Sequence, residues 1–136
     1  MGSEKTSTQL AIVGAGPGGY AAAFLAADLG METTLIDPQP NPGGVCLYEG
    51  CIPSKALLHV AKVITDARDA AEWGVEFSGY TVNLDKVRSW KDGVVQKLTG
   101  GLGVLTKNRK INYLQGKARF LTSTSLSVET PGREAR

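Results

Sequence analysis

The run QLAIVGAGPGGYAAAFLAADLG, residues 9–30, most constrains what this chain can fold into. A short apolar stretch at 9–13 reads as a strand, and an alanine- and leucine-rich segment ending at Gly30 reads as a helix with a glycine C-cap. Between them Gly14, Gly16 and Gly19 give the spacing G-x-G-x-x-G. A second strand follows at Thr33–Ile36, closed by Asp37-Pro38. The whole is a β-α-β unit of about 30 residues, the size of one crossover. In that context each glycine has a task. Gly14 permits the tight turn, Gly16 lets backbone approach a pyrophosphate, and Gly19 allows close helix–strand packing. The N-terminal N–H groups of the helix and its dipole favour phosphate. Asp37 lies 18 residues past Gly19, where an acid accepts hydrogen bonds from a ribose and favours a free 2′-hydroxyl, hence NAD or FAD over NADP.

The remainder reads as two further long helices and short strands. Residues 38–50, with three prolines and three glycines, read as an ordered loop. A helical pattern runs from Pro53 to about Ala71, and 73–83 is irregular. A second helix is predicted over 85–106, with Val87, Trp90, Val94, Leu98, Leu102 and Leu105 as its core-facing stripe; Gly100, Gly101 and Gly103 invite a kink or an early end. Strands follow at 111–114, 118–121 and 126–128, then a Pro131-Gly132 turn. The fold class is α/β: a Rossmann-like dinucleotide-binding domain, N-terminal portion. Too few strands follow the first β-α-β unit to complete such a sheet, so residues 1–136 read as the front part of a larger enzyme.

Charge excludes little but is uneven. The net charge is +2, with 4 Lys/Arg against 9 Asp/Glu up to Leu84 and 11 against 4 from Asp85 onward. The basic residues are scattered without aromatic interleaving, which argues against nucleic acid and for a solvated or inter-domain face. No stretch approaches the roughly 18 apolar residues of a membrane span, and the polar start does not read as a secretory signal. The expected location is the cytoplasm.

Both cysteines of the chain fall in one segment, GGVCLYEGCIPSK, residues 43–55. Three readings of Cys46 and Cys51 stand. A zinc site needs four ligands, and the chain offers one histidine, His59, beyond the pair; no metal is expected. Two unrelated core cysteines are the second reading. The third is a redox pair. For it speak the position of Cys51 before an Ile52-Pro53 turn and a helix, whose N-terminal field and Lys55 would stabilise a thiolate, and Gly43, Gly44 and Gly50, which would let backbone press on a flat ligand. The more exposed sulfur would exchange with substrate.

Taken together, GAGPGGYAAAFLAADLG, the acid-ended strand and GGVCLYEGCIPSKALLHVAKVI resemble the FAD-binding part of the flavin-dependent pyridine nucleotide–disulfide oxidoreductases. The similarity runs over essentially all 136 residues, weaker after about Gly74, and IPSKALLH leans to the lipoamide branch. The resemblance implies FAD held by Gly14, Gly16, Pro17, Gly19 and Gly44 with its ribose on Asp37. It implies Cys46 as interchange sulfur, Cys51 as the sulfur facing the flavin, and Lys55 beside the isoalloxazine. It further implies NAD⁺ as co-substrate, a homodimer, and lipoyl domains of 2-oxoacid dehydrogenase complexes or of the glycine cleavage system as partners. The NAD-binding and dimerisation domains and the histidine–glutamate base would lie outside this chain, leaving it inactive alone. His59 reads as a packing or surface histidine. Two departures stand out: Asp37 replaces a more usual glutamate, and Tyr48-Glu49 replaces Asn-Val. Another flavin disulfide reductase, and a non-catalytic nucleotide-binding module with a structural or sensing cysteine pair, are the alternatives.

Overall fold

A computed structural model describes residues 5–130, so the Pro131-Gly132 turn lies outside the described residues. The chain divides into two compact units, residues 1–44 with 99–136, and residues 45–98.

The first unit is built on a parallel sheet. Strand β1 (Leu10–Val13) pairs with β2 (Thr33–Asp37), which pairs in turn with β3 (Asn112–Gln115). All five residues of β2 are buried, as a central parallel strand requires. Helix α1 (Pro17–Asp28) connects β1 to β2. Gly16 is its N-cap, Pro17 stands at N1, and Gly30 closes it at φ +86°. The Gly30 N–H donates to the Ala27 carbonyl at 2.9 Å and the Met31 N–H to Ala26 at 3.0 Å, so the predicted glycine cap is a Schellman motif. The core joins Ala15, Ala23, Leu35 and Ile111, flanked by Ile12, Phe24 and Tyr113. Alanine on the inner face of α1 lets the helix lie close over the sheet. Strands β4 (Lys117–Thr122) and β5 (Ser125–Glu129) form a separate antiparallel pair. The predicted strands are therefore present, with boundaries shifted by at most one residue.

Two elements differ from expectation. Residues 44–48, read as loop, form a short helix α2 (Gly44–Tyr48). Cys51 does not precede a turn but opens α3 (Cys51–Asp69), with Ile52 and Pro53 inside its first turn. Proline is tolerated there because its missing N–H would have had no intrahelical acceptor. A single 3₁₀ turn, Ala70–Trp73, follows and ends on Gly74 at φ +82°.

Helix α4 (Leu84–Asn108) neither kinks at its glycines to the point of breaking nor ends early. Asn83 caps it, its side-chain oxygen accepting the Lys86 N–H at 3.0 Å. Its buried residues are Val95, Thr99, Gly103 and Thr106, while Trp90, Leu98 and Leu105 remain 45%, 41% and 42% exposed. The buried stripe thus lies beside the predicted one. Within the first unit the reason is local: Gly103 faces the Asn41 side chain of the 38–43 loop, which a Cβ there would have to push aside. At the far end Arg109 pairs with Asp28 of α1 at 3.0 Å and lies 4.7 Å from the centre of the Phe24 ring.

Candidate functional site

The candidate residues fall into two groups, one in each unit. In the first unit the glycine loop connects β1 to α1. Gly14 adopts φ +94°, a conformation side-chain-bearing residues avoid, and its N–H donates to the Ile36 carbonyl at 2.8 Å. A Cβ on Gly19 would run into the Gly14 carbonyl, so this glycine is demanded by helix–strand packing as predicted. Gly16 is different. Its backbone is ordinary and extended, and a Cβ there would meet nothing closer than the Gly44 Cα at 3.9 Å. A Cβ on Gly18 would meet nothing within 4 Å. The fold itself therefore does not require glycine at 16 or 18. No side chain caps the N-terminus of α1, leaving its first N–H groups without an intrahelical acceptor.

Asp37 is 8% exposed and engaged within the chain. Its Oδ2 accepts the Ala15 N–H at 2.7 Å and its Oδ1 the Gln39 N–H at 2.9 Å. The loop that follows is held from several sides. The Tyr113 hydroxyl donates to the Gln39 carbonyl at 2.8 Å, Gln115 Nε2 to that of Pro38 at 3.1 Å, and the Gly43 N–H to that of Ala15 at 2.8 Å. Gly44, at φ +58°, lies with its would-be Cβ 2.5 Å from the Gly16 Cα. Gly44 thus has a reason inside the chain, the close contact of two backbone segments, whatever it offers a ligand.

The second unit carries the cysteines. Cys46 lies in α2 and is half-buried; Cys51 is the first residue of α3 and is exposed; both are thiols. The exposure order is the reverse of the expectation that the interchange sulfur, Cys46, is the more open. Gly50 makes the corner between the two helices, where a Cβ would stand 3.1 Å from the Val45 carbonyl oxygen and 3.5 Å from the Cys46 Cα. The Cys46 thiol is pushed above its ordinary value, first by its hydrogen bond to the Cys51 side chain, then by desolvation and by the charge of Cys51. The Cys51 N–H, donating to the Cys46 sulfur, and the nearby Lys55 charge act in the opposite direction. Cys46, Cys51 and Lys55 are therefore neighbours, and the two sulfurs sit in hydrogen-bonding contact. Ser54 Oγ donates to the Cys51 carbonyl at 3.1 Å. His59, exposed, lies with its ring 6.2 Å from that of Trp90, in line with a surface packing role. Among the described residues no group of three His, Cys, Asp or Glu side chains could hold a metal ion, and no helix is long and apolar enough to cross a membrane.

Sequence reasoning missed Tyr113 and Gln115, which hold the 38–43 loop, and the backbone of Ala15 and Gln39, which Asp37 holds. Only the buried acid at the end of β2 carried a signal for them, and it was read as facing a ligand.

Comparison with known proteins adds an independent line. Residues 8–134 match the family model described as pyridine nucleotide-disulphide oxidoreductase. The dihydrolipoyl dehydrogenase of Haemophilus influenzae is 52% identical over 124 residues, covering 91% of this chain and 26% of that protein. That of Vibrio cholerae is 47% identical over 127 residues, covering 93% and 27%, and that of Staphylococcus aureus 44% over 128, covering 94% and 27%. The chain spans about a quarter of the length of these curated relatives.

Proposed function

Because the chain belongs to the pyridine nucleotide-disulphide oxidoreductase family, we propose that it supplies the flavin-binding and disulfide-exchanging part of a dihydrolipoyl dehydrogenase, the activity that names its relatives. In this reading residues 1–136 form part of an FAD-binding domain of Rossmann type, and NAD⁺ binding and dimerisation belong to sequence beyond them. The whole enzyme is a homodimer that oxidises dihydrolipoamide on lipoyl domains of a 2-oxoacid dehydrogenase complex or the glycine cleavage system. A reducing, cytoplasmic setting suits two cysteines that stand as thiols.

The contact between Cys46 and Cys51 carries the proposal. Two sulfurs in hydrogen-bonding contact need little motion to close a disulfide, and among the described residues no third His, Cys, Asp or Glu joins them as a metal ligand. Exchange with a dithiol substrate balances simply: its two thiols become a disulfide, and the Cys46–Cys51 disulfide becomes two thiols. The family resemblance makes Cys46 the sulfur that meets substrate, although it is the less exposed of the two. Cys51 is the first residue of α3. Lys55 adds positive charge one turn along.

The glycine loop suits FAD. Glycine at 16 and 18, which the fold does not demand, keeps the space before an uncapped helix N-terminus clear of side chains. That is what close approach of a pyrophosphate requires. Gly14, Pro17 and Gly19 shape the turn, and Asp37 retains lone pairs beyond the two N–H groups it accepts. FAD, when bound, supplies the two-electron chemistry between dithiol and nicotinamide.

The test is an absorption spectrum of the protein with FAD during titration with dithiothreitol. We expect flavin bands and, on two-electron reduction, a long-wavelength absorbance that disappears in Cys51→Ser. Flavin bound with no such absorbance in the unsubstituted protein would overturn the assignment of Cys51.

A further inference from the structure

The acid that ends β2 is the side chain whose observed partners fit its expected role least well. A ribose acceptor should present its carboxylate outward. Asp37 is instead 8% exposed, and each of its oxygens already accepts a backbone N–H, Ala15 at 2.7 Å and Gln39 at 2.9 Å. Hydrogen bonds to an ionised acceptor are the strong class. The two N–H groups belong to the two backbone segments that bound the loop. Ala15, fully buried, lies between Gly14 and Gly16; Gln39 lies in the 38–43 loop, whose Gly43 N–H returns to the Ala15 carbonyl. Ala15 is thus fixed on both sides, its N–H by Asp37 and its carbonyl by Gly43. The main chain on each side of it has little freedom left.

We infer that Asp37 is a positioning residue, which presets the glycine loop for a pyrophosphate by tying Ala15 and Gln39 together, and that this role outweighs any contact with the ribose. The inference rests on the dinucleotide reading above.

The experiment compares ADP with 2′,3′-dideoxy-ADP, which keeps the diphosphate and lacks both ribose hydroxyls, by calorimetry on the unsubstituted protein and on Asp37→Asn. An amide offers one acceptor and one donor where the carboxylate offers two acceptors, so at least one backbone N–H loses its partner. Asp37→Asn should weaken both ligands by the same factor, about tenfold, as for loss of one charge-assisted hydrogen bond. Weaker ADP with undiminished dideoxy-ADP binding would assign Asp37 to the ribose and overturn the inference. A second measurement needs no ligand: the amide resonances of Ala15 and Gln39 should stand downfield and at least one should move upfield in Asp37→Asn while the rest of the spectrum is retained. Resonances indifferent to the substitution would overturn the clamp. Should the unsubstituted protein bind neither ligand, the dinucleotide reading falls, and the amide resonances alone uphold or overturn the tie.

Discussion

At the scale of single residues, the four glycines of the loop divide by what they do. Gly14 and Gly19 serve the fold, one by its positive φ and the other by its contact with the Gly14 carbonyl. Gly16 and Gly18 face space that a side chain could enter. Gly19→Ala should therefore destabilise by about 3 kcal/mol, the upper end of the overpacking range, seen as a lower midpoint in urea. Gly16→Ala should cost less than about 1 kcal/mol, since only the weaker N-cap preference is lost, yet weaken FAD binding strongly in a fluorescence titration. A similar contrast applies to the cysteines. The thiolate is the form that alkylates, so a thiol pushed above its ordinary value reacts along a profile displaced to higher pH. Cys51→Ala removes the two Cys51 side-chain contributions that push Cys46 up. The iodoacetamide profile of Cys46, read by mass spectrometry, should then move to lower pH.

Elements show where pattern suffices and where it does not. The first β-α-β unit was legible because its signals are local: an apolar strand, glycines at turn positions, an alanine-rich helix, a glycine stop. Helix α2 was not, because Gly44 and the preceding prolines mimic a loop, and five residues are too few for a period to show. On α4 the period was read correctly but the side was not. Large apolar residues form one stripe and Val95, Thr99, Gly103 and Thr106 its neighbour; which one turns inward depends on partners such as Asn41 that periodicity cannot name. The brace on the 38–43 loop was illegible for the same reason, since Tyr113 and Gln39 lie 74 residues apart. The C-terminus of α4 offers a test at this scale. Lys110 sits at φ +56°, its N–H donating to Lys107 at 2.9 Å and that of Ile111 to Thr106 at 3.2 Å, a Schellman motif with a lysine where glycine is favoured. Lys110→Gly should raise stability by about 1 kcal/mol through relief of the left-handed backbone, measured as a higher melting temperature with unchanged secondary structure.

For the whole molecule, the two units differ in what holds them. The first has a buried central strand and a contiguous core. In the second, residues 75–83 have no regular structure, and Phe77 and Tyr80 are exposed. Amide exchange should follow that contrast, slowest in β2 and fastest over 75–83, because local opening is easiest where few apolar groups are buried. Protection spread evenly over both segments would contradict it.

The meeting of Gly44 with Gly16, backbone on backbone, has a consequence for anyone who would transplant these motifs. The nucleotide loop and Gly44 lie nearly thirty positions apart in the sequence, yet they fit like the two leaves of a hinge with no clearance for a methyl group on Gly44. A glycine-rich loop borrowed from another protein would bring one leaf without the other. Grafting this chemistry onto a new scaffold means moving both leaves together.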